Sequence, residues 1–458
     1  MKIIILGAGQ VGGTLAAQLV NERSDITVVD TDPLILRNLQ DHLDIKTVEG
    51  PASLPSTLKR AGAEDAELII AVTNSDEINI VACQVAHTVF SCPTKIARIR
   101  DQDYLNYAAV LFERDHIPID VIISPEQLVT NNIKQLIANP GALQVLDFAD
   151  GLVQLVAVKA VAGGPIVGHQ LKEIRDHMPS VDTRVAAIFR DGRPLIPEGD
   201  TIVDDGDEVF FVANRKHIRT VMSELRKLDK GYQKVMIAGG GNIGGTLAAA
   251  LESQYDVKII EQDYQRCRVL SELMKSSLVL HGSASDSQLL RNEGIDTTDV
   301  FCALTNNDES NIMMSMLAKR MGAKKVITLI TNPAYAELIG DEIDVAISPQ
   351  QITISSLLAY IRKGDISRVH SLRRGAAESL EIIARGDSVS SKVVGRRLDA
   401  IKLPAGTTIG AIVRGKQVLI AHKHIVIESE DHVILFVTDK NNISEIERLF
   451  SAGFGYFF

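Results

Sequence analysis

Short β-branched runs alternate with longer amphipathic stretches over the first hundred residues of the chain. IIIL, ITVV, KTVE, LIIAV and KIARI read as strands, and the segments between them carry apolar positions at helical spacing. That alternation predicts βαβ units and a parallel sheet. From about Leu143 to Leu225 the period falls to two. LVQLVAVKAV, TRVAAIFR and DEVFFVA alternate as strands do, with turns at Gly163-Gly164, Asp191-Gly192 and Asp205-Gly206. An amphipathic stretch, HIRTVMSELRKL, closes this part, which therefore predicts a small α+β lobe.

The same series then occurs again. GAGQVGGTLAAQL at 7–19 matches GGGNIGGTLAAAL at 239–251 with nine identities in thirteen, and VTNSDEINI at 72–80 matches LTNNDESNI at 304–312. IISPEQ at 122–127 pairs with AISPQQ at 346–351, and AAIFRDGRPLIP at 186–197 with GAIVRGKQVLIA at 410–421. The order is kept, so the chain is a tandem duplication. The expected fold is α/β, with two tandem units, each a Rossmann-like doubly wound parallel sheet followed by a small α+β lobe. The four lobes are placed at 1–124, 140–226, 232–348 and 368–453, with 225–234 as the linker between units.

Composition narrows the function. Of 458 residues, 58 are acidic and 48 basic, a formal charge of −10. A pI near 5.6 lacks the basic footprint of a nucleic-acid binder, and 4% aromatics with no Trp leave few stacking platforms. No apolar run approaches the roughly 20 residues needed to span a bilayer. The N-terminus reads as a strand and not as a signal peptide. Cys83, Cys92, Cys267 and Cys302 lie far apart, which speaks against a disulfide framework or a zinc site. A cytoplasmic protein without a metal is expected.

Candidate chemistry begins at the glycines. Gly7, Gly9 and Gly12 form G-x-G-x-x-G after the first strand and at the head of a helix. The first would allow a tight turn, the second close approach of a pyrophosphate, and the third close packing of helix on strand. Phosphate then meets the N–H groups and positive end of the helix. The second strand ends in Asp30, 18 residues past Gly12, where a carboxylate can accept hydrogen bonds from ribose hydroxyls and would repel a 2′-phosphate. This favours NAD over NADP and is equally compatible with ADP or ATP. Gly239, Gly241 and Gly244, with Glu261 17 residues beyond, repeat the pattern, although glycines kept only for packing would look the same.

After the fourth strand, Thr73 and Asn74 are placed to face the ligand, while Asn74 or Ser75 could cap the next helix with Asp76 and Glu77 in its first turn, and for Asp76, Glu77 and Asn79 this capping role is preferred over direct ligation. The corresponding segment of the second unit runs from Thr305 to Glu309. After the fifth strand the copies diverge, with Arg98 and Arg100 aligned to Leu329 and Thr331. An Arg at that strand end would add charge-assisted bonds to a pyrophosphate, against the alternative of an exposed Arg paired with Asp101 or Asp103. Ser124-Pro125-Glu126-Gln127 and Ser348-Pro349-Gln350-Gln351 read as helix starts without chemistry. Arg373-Arg374 and Arg396-Arg397 read as solvated faces, too sparse for a DNA-binding stripe. No catalytic residue emerges: the eleven histidines form no acid/base constellation, and no phosphate-hydrolysing loop, nucleophile elbow or H-E-x-x-H metal motif occurs. Nucleotide sensing is the leading reading, an oxidoreductase with an unrecognised substrate lobe the rival, and a DNA-bound redox sensor the third.

GAGQVGGTLA, the Thr-Asn-Ser-Asp-Glu-x-Asn segment, the ARIR strand and the tandem small lobes resemble the bacterial potassium-uptake regulators within the family of regulators of potassium conductance, also called KTN domains. The resemblance spans nearly the whole chain. It implies a non-enzymatic regulatory subunit, a homotetramer peripheral on the cytoplasmic face of the inner membrane. Its partner would be a membrane-embedded potassium transporter subunit of the TrkH or TrkG type, under control of NAD(H) and ATP or ADP. Carried over, the ligand positions are Gly7, Ala8, Gly9, Gln10, Val11, Asp30, Thr73, Asn74 and Arg98. In the second unit they are Gly239, Gly240, Gly241, Asn242, Ile243, Glu261 and Thr305. The aromatic end, SAGFGYFF at 451–458, could insert into a partner or fold back on its own lobe.

Overall fold

The computed structural model describes residues 1–20, 24–112, 116–195, 197–228, 230–339, 342–362 and 365–451; the aromatic end beyond Ser451 lies outside them. The first sheet contains β1 (Lys2–Leu6), β2 (Asp25–Asp30), β3 (Lys46–Glu49), β4 (Leu68–Ala71), β5 (Thr94–Arg98) and β6 (Val121–Ile123). All pairings are parallel and the order is β3-β2-β1-β4-β5-β6, so strand order reverses between β1 and β4. Ile3, Ile4, Ile5 and Leu6 are fully buried, as expected of a central strand covered on both faces by helices. Five of these strands were legible as apolar runs. The sixth is three residues long, too short for a periodicity signal.

The first antiparallel sheet follows, with β7 (Ala142–Phe148), β8 (Val153–Lys159), β9 (Thr183–Arg190), β10 (Arg193–Leu195) and β11 (Glu208–Asn214) in the order β10-β9-β11-β8-β7. The second parallel sheet contains β12 (Lys234–Ala238), β13 (Asp256–Glu261), β14 (Leu278–His281), β15 (Val300–Ala303), β16 (Lys325–Leu329) and β17 (Val345–Ile347), ordered β14-β13-β12-β15-β16-β17. The chain ends with β18 (Ile366–Leu372), β19 (Ala377–Ile383), β20 (Thr407–Arg414), β21 (Gln417–Ile420) and β22 (His432–Val437), ordered β18-β19-β22-β20-β21. Each copy thus repeats the topology of the other.

The compact units of the fold are nevertheless a different division from the sequence repeats. One comprises residues 1–128 with 352–361, the other 129–351 with 362–458. Within the second, the two antiparallel sheets share one hydrophobic core: Phe148, Leu155, Phe189 and Phe210 of the first copy pack with Leu372, Val413, Ile434 and Phe436 of the second. Neither sheet could bury that face alone. At its rim Arg373 donates to Glu208 at 2.8 Å and lies 5.0 Å over the Phe189 ring, and the Gln144 amide donates to the Ser371 carbonyl at 2.8 Å. Arg373 is therefore not part of a solvated face. The duplication brought a matching sheet against it, a pairing that charge spacing in sequence does not reveal. Among the described residues no helix is long and apolar enough to cross a membrane, and no group of three or more His, Cys, Asp or Glu side chains could hold a metal ion. All four cysteines are free and buried.

Candidate nucleotide-binding sites

The three glycines of each loop separate into two kinds. Gly7 has φ +106° and Gly239 φ +101°, a backbone region that side chains rarely adopt. A Cβ on Gly12 would lie 1.9 Å from the Gly7 carbonyl oxygen, and one on Gly244 1.9 Å from that of Gly239. The first and third glycines are thus required by the fold itself. The middle ones are not. A Cβ on Gly9 or on Gly241 would meet nothing within 4 Å. Each exposed middle glycine opens onto the carboxyl ends of the strands where their order reverses, the place where doubly wound sheets take their ligands. Behind it begin the helices Gln10–Val20 and Asn242–Leu251, whose first turns present N–H groups and the positive end of the dipole. Gln10 and Asn242 are exposed there, and Val11 and Ile243 half-buried.

The acidic residue at the end of the second strand holds this loop in place. Asp30 accepts from the Ala8 N–H at 2.6 Å and the Asp32 N–H at 3.0 Å. Glu261 accepts from Gly240 at 2.6 Å and from Asp263 at 2.8 Å. Each carboxylate oxygen can accept a second bond, which leaves capacity for ribose hydroxyls.

Thr73 and Thr305 are anchored by an asparagine in the first turn of the following helix. The fully buried Asn79 accepts from the Thr73 N–H at 3.0 Å and its hydroxyl at 2.7 Å, and donates to the Arg98 carbonyl at 2.9 Å. Asn311 does the same for Thr305 and the Leu329 carbonyl. These bonds knit the ends of β4 to β5 and of β15 to β16, and they fix the alignment of Arg98 with Leu329. Ser75 is the helix cap, accepting from the Ile78 N–H at 3.2 Å. Asp76 accepts from the N–H groups of Arg100 and Asp101 at 2.8 Å, and Asp308 from Thr331 and Asn332. Asn74 is exposed beside them.

Arg98 is not exposed and makes no ion pair with Asp101 or Asp103. It is half-buried, donates to the Thr73 carbonyl at 2.6 Å, and leaves its Nε unpartnered. Burial and the neighbouring Arg100 hold its pKa below the usual range. Close by, Arg100 Nε, one oxygen of Asp76 and one of Glu126 are also buried without hydrogen-bond partners, and burial raises the Glu126 pKa. Arg100 Nε and Asp76 lie 3.9 Å apart as an ion pair, so buried polar atoms of both signs cluster at this strand end. Sequence reading gave Glu126 a helix-start role alone. The signal that could have found it is its joint replacement: Arg98, Arg100 and Glu126 become Leu329, Thr331 and Gln350 in the second copy.

A TrkA-N domain model matches residues 3–125 and again 235–349, and a TrkA-C domain model matches 155–226 and 387–451. Fold and loops together thus define a tandem protein of two TrkA-N and two TrkA-C domains. Along its whole length the chain is 62% identical to the Trk system potassium uptake protein TrkA of Halomonas elongata, covering all of both chains. It is 58% identical to that of Vibrio alginolyticus over 98% of each. The chain belongs to this family of Trk system potassium uptake proteins. Among solved structures the GsuK RCK domain matches with TM-score 0.60 and 16% identity, over 98% of this chain and 94% of that one. A GsuK channel bound to NAD matches with TM-score 0.60 and 16% identity, over 98% of this chain and 78% of that one. These structures share the fold.

Proposed function

We propose that the protein is a nucleotide-sensing regulatory subunit of a Trk-type potassium uptake system, without catalysis of its own. It binds NAD(H), ADP or ATP at the two glycine loops and gates a membrane-embedded potassium-translocating subunit of the TrkH or TrkG type. In this reading it works as a homotetramer peripheral on the cytoplasmic face of the inner membrane. The observation that carries the reading is the pair of middle glycines, Gly9 and Gly241, which packing does not require and close approach of a phosphate does.

The geometry supports the following ligand roles. Gly9, Gln10 and Val11, and in the second copy Gly241, Asn242 and Ile243, meet the phosphates at the head of the helix, on a turn shaped by Gly7, Ala8, Gly239 and Gly240, whose own N–H groups are bonded to Val29, Asp30, Ile260 and Glu261. Asp30 and Glu261 accept from ribose, and Thr73, Asn74 and Thr305 line the far wall. Arg98 adds charge to the first site alone. A ligand that draws on Arg98 also acts on the Thr73 carbonyl bonded to it and on the charge facing the half-buried Glu126, in the first turn of the helix Pro125–Ala138. Occupancy is thereby coupled to the start of that helix.

Calorimetric titration of the full chain with NADH, with ATP as competitor and recovery of the ligand, tests this. Intact NADH bound at one or two sites per chain, displaced by ATP at one of them, is expected. Absence of heat, or consumption of NADH beside a carbonyl substrate, would refute the sensing role.

A further inference from the structure

The ends of the two sites that receive the adenosine are built from different side chains. In the first copy Asp30 lies in register with Glu49, and the first turn of the helix Pro33–His42 shows Leu34 and Ile35 to solvent, 72% and 39% exposed. In the second copy Glu261 lies in register with His281, and the corresponding helix Tyr264–Leu273 places Tyr264 and Arg266 in that turn. Arg266 stands where Ile35 does. Its Nε donates to the Gly240 carbonyl at 2.7 Å and one terminal nitrogen reaches the Gly241 carbonyl at 3.5 Å, while the other terminal nitrogen makes no hydrogen bond among the described residues. The guanidinium plane thus lies against the glycine loop itself. Tyr264, 59% exposed, meets the His281 ring edge-on at 5.6 Å.

The opposite end of the second site has lost its charge. Where the first copy has Arg98 and Arg100, Leu329 is buried, and the hydroxyl and N–H of Thr331 are both bonded to Asp308 at 3.0 Å. The second copy therefore lacks the two arginines of the far-phosphate end, and at the adenosine end its Arg266 lies on the glycine loop, where the first copy instead has Arg60 on the Glu49 carbonyl.

We infer that Arg266, with Tyr264 and His281 beside it, is the specificity-determining group of the second site: it grips the purine of an adenine nucleotide by its face and makes that site indifferent to the number of phosphates. A guanidinium plane held by backbone carbonyls offers one face to a purine. Without a cation at the strand ends, a β- or γ-phosphate there gains no charge-assisted partner. The inference rests on the nucleotide-binding reading above.

The test is calorimetry of the full chain with AMP, ADP and ATP, comparing the parent with Arg266→Leu, Arg266→Lys and the exposed Tyr264→Ala. Arg266→Leu should weaken one of two binding classes about fivefold to tenfold, by the same factor for all three nucleotides. Arg266→Lys, which keeps the charge but not the plane, should not restore it. Tyr264→Ala, at an exposed position without folding cost, should weaken the same class about threefold. Full rescue by Lys, a loss that grows with phosphate number, or unchanged affinities would overturn the inference. So would a single class of sites removed by Arg98→Ala, which leaves sensing intact and the second loop empty. No heat from any nucleotide in the parent chain would instead refute nucleotide binding as a whole.

Discussion

A methyl group added at Gly9 and one added at Gly12 are equal in chemistry and opposite in consequence. At Gly12 the new carbon would lie 1.9 Å from the Gly7 carbonyl oxygen, so the helix must move off the sheet; Gly12→Ala should cost about 3 kcal/mol. At Gly9 it meets no protein atom. Gly9→Ala should leave the melting temperature unchanged and reduce nucleotide affinity at the first site at least about tenfold, since the methyl occupies the path of the phosphate. Thermal melts and titrations on the two variants separate packing from binding at one loop. Equal effects of both on stability would mean that Gly9, too, serves only the fold.

Among elements, the strand ends matter most, and they were partly legible. The apolar runs announced β1 to β5 and the glycine spacing announced the first turn, because both obey short-range rules of period and backbone freedom. Asp30 was legible as the residue closing β2. The network behind the site was not. Asn79 reads in sequence, with Asp76 and Glu77, as a capping residue of the next helix against direct ligation, yet it is fully buried and supplies the bonds that hold β4 and β5 together. Its role depends on two loops that meet only after the sheet has formed. Glu126 was hidden for the same reason, since a Ser-Pro-Glu start explains itself locally. Asn79→Ala should cost roughly 2–3 kcal/mol in chemical denaturation, because it strands a buried N–H and a carbonyl. A cost below about 0.5 kcal/mol would show that water replaces the amide.

For the whole molecule, the governing feature is the core shared by the two antiparallel sheets. Phe148, Phe189 and Phe210 are covered by residues of the second copy, from Leu372 to Phe436. A fragment of residues 1–228 should therefore expose an apolar face designed for a near copy of itself, and should self-associate or precipitate. Light scattering of the fragment checks this; a monodisperse monomer would mean that the face can close by itself. Duplication was legible at once from the repeated motifs. That the copies clasp one another through their small lobes was not, because hydrophobic alternation says that a face is buried and never says against what.

The clasp bears on how the protein could change over time. In an assembly of identical half-length chains, every substitution would occur in all copies of a site together, so a mutation useful at one would be imposed on the other. Covalent fusion removes that bond of symmetry while the shared core keeps the halves together. Arg98 could be kept in one half and become Leu329 in the other, and Ile35 could have Arg266 as its counterpart, each residue judged by its own site alone. The fused chain can hold two differently built glycine-loop sites where an assembly of identical half-length chains could hold only one kind.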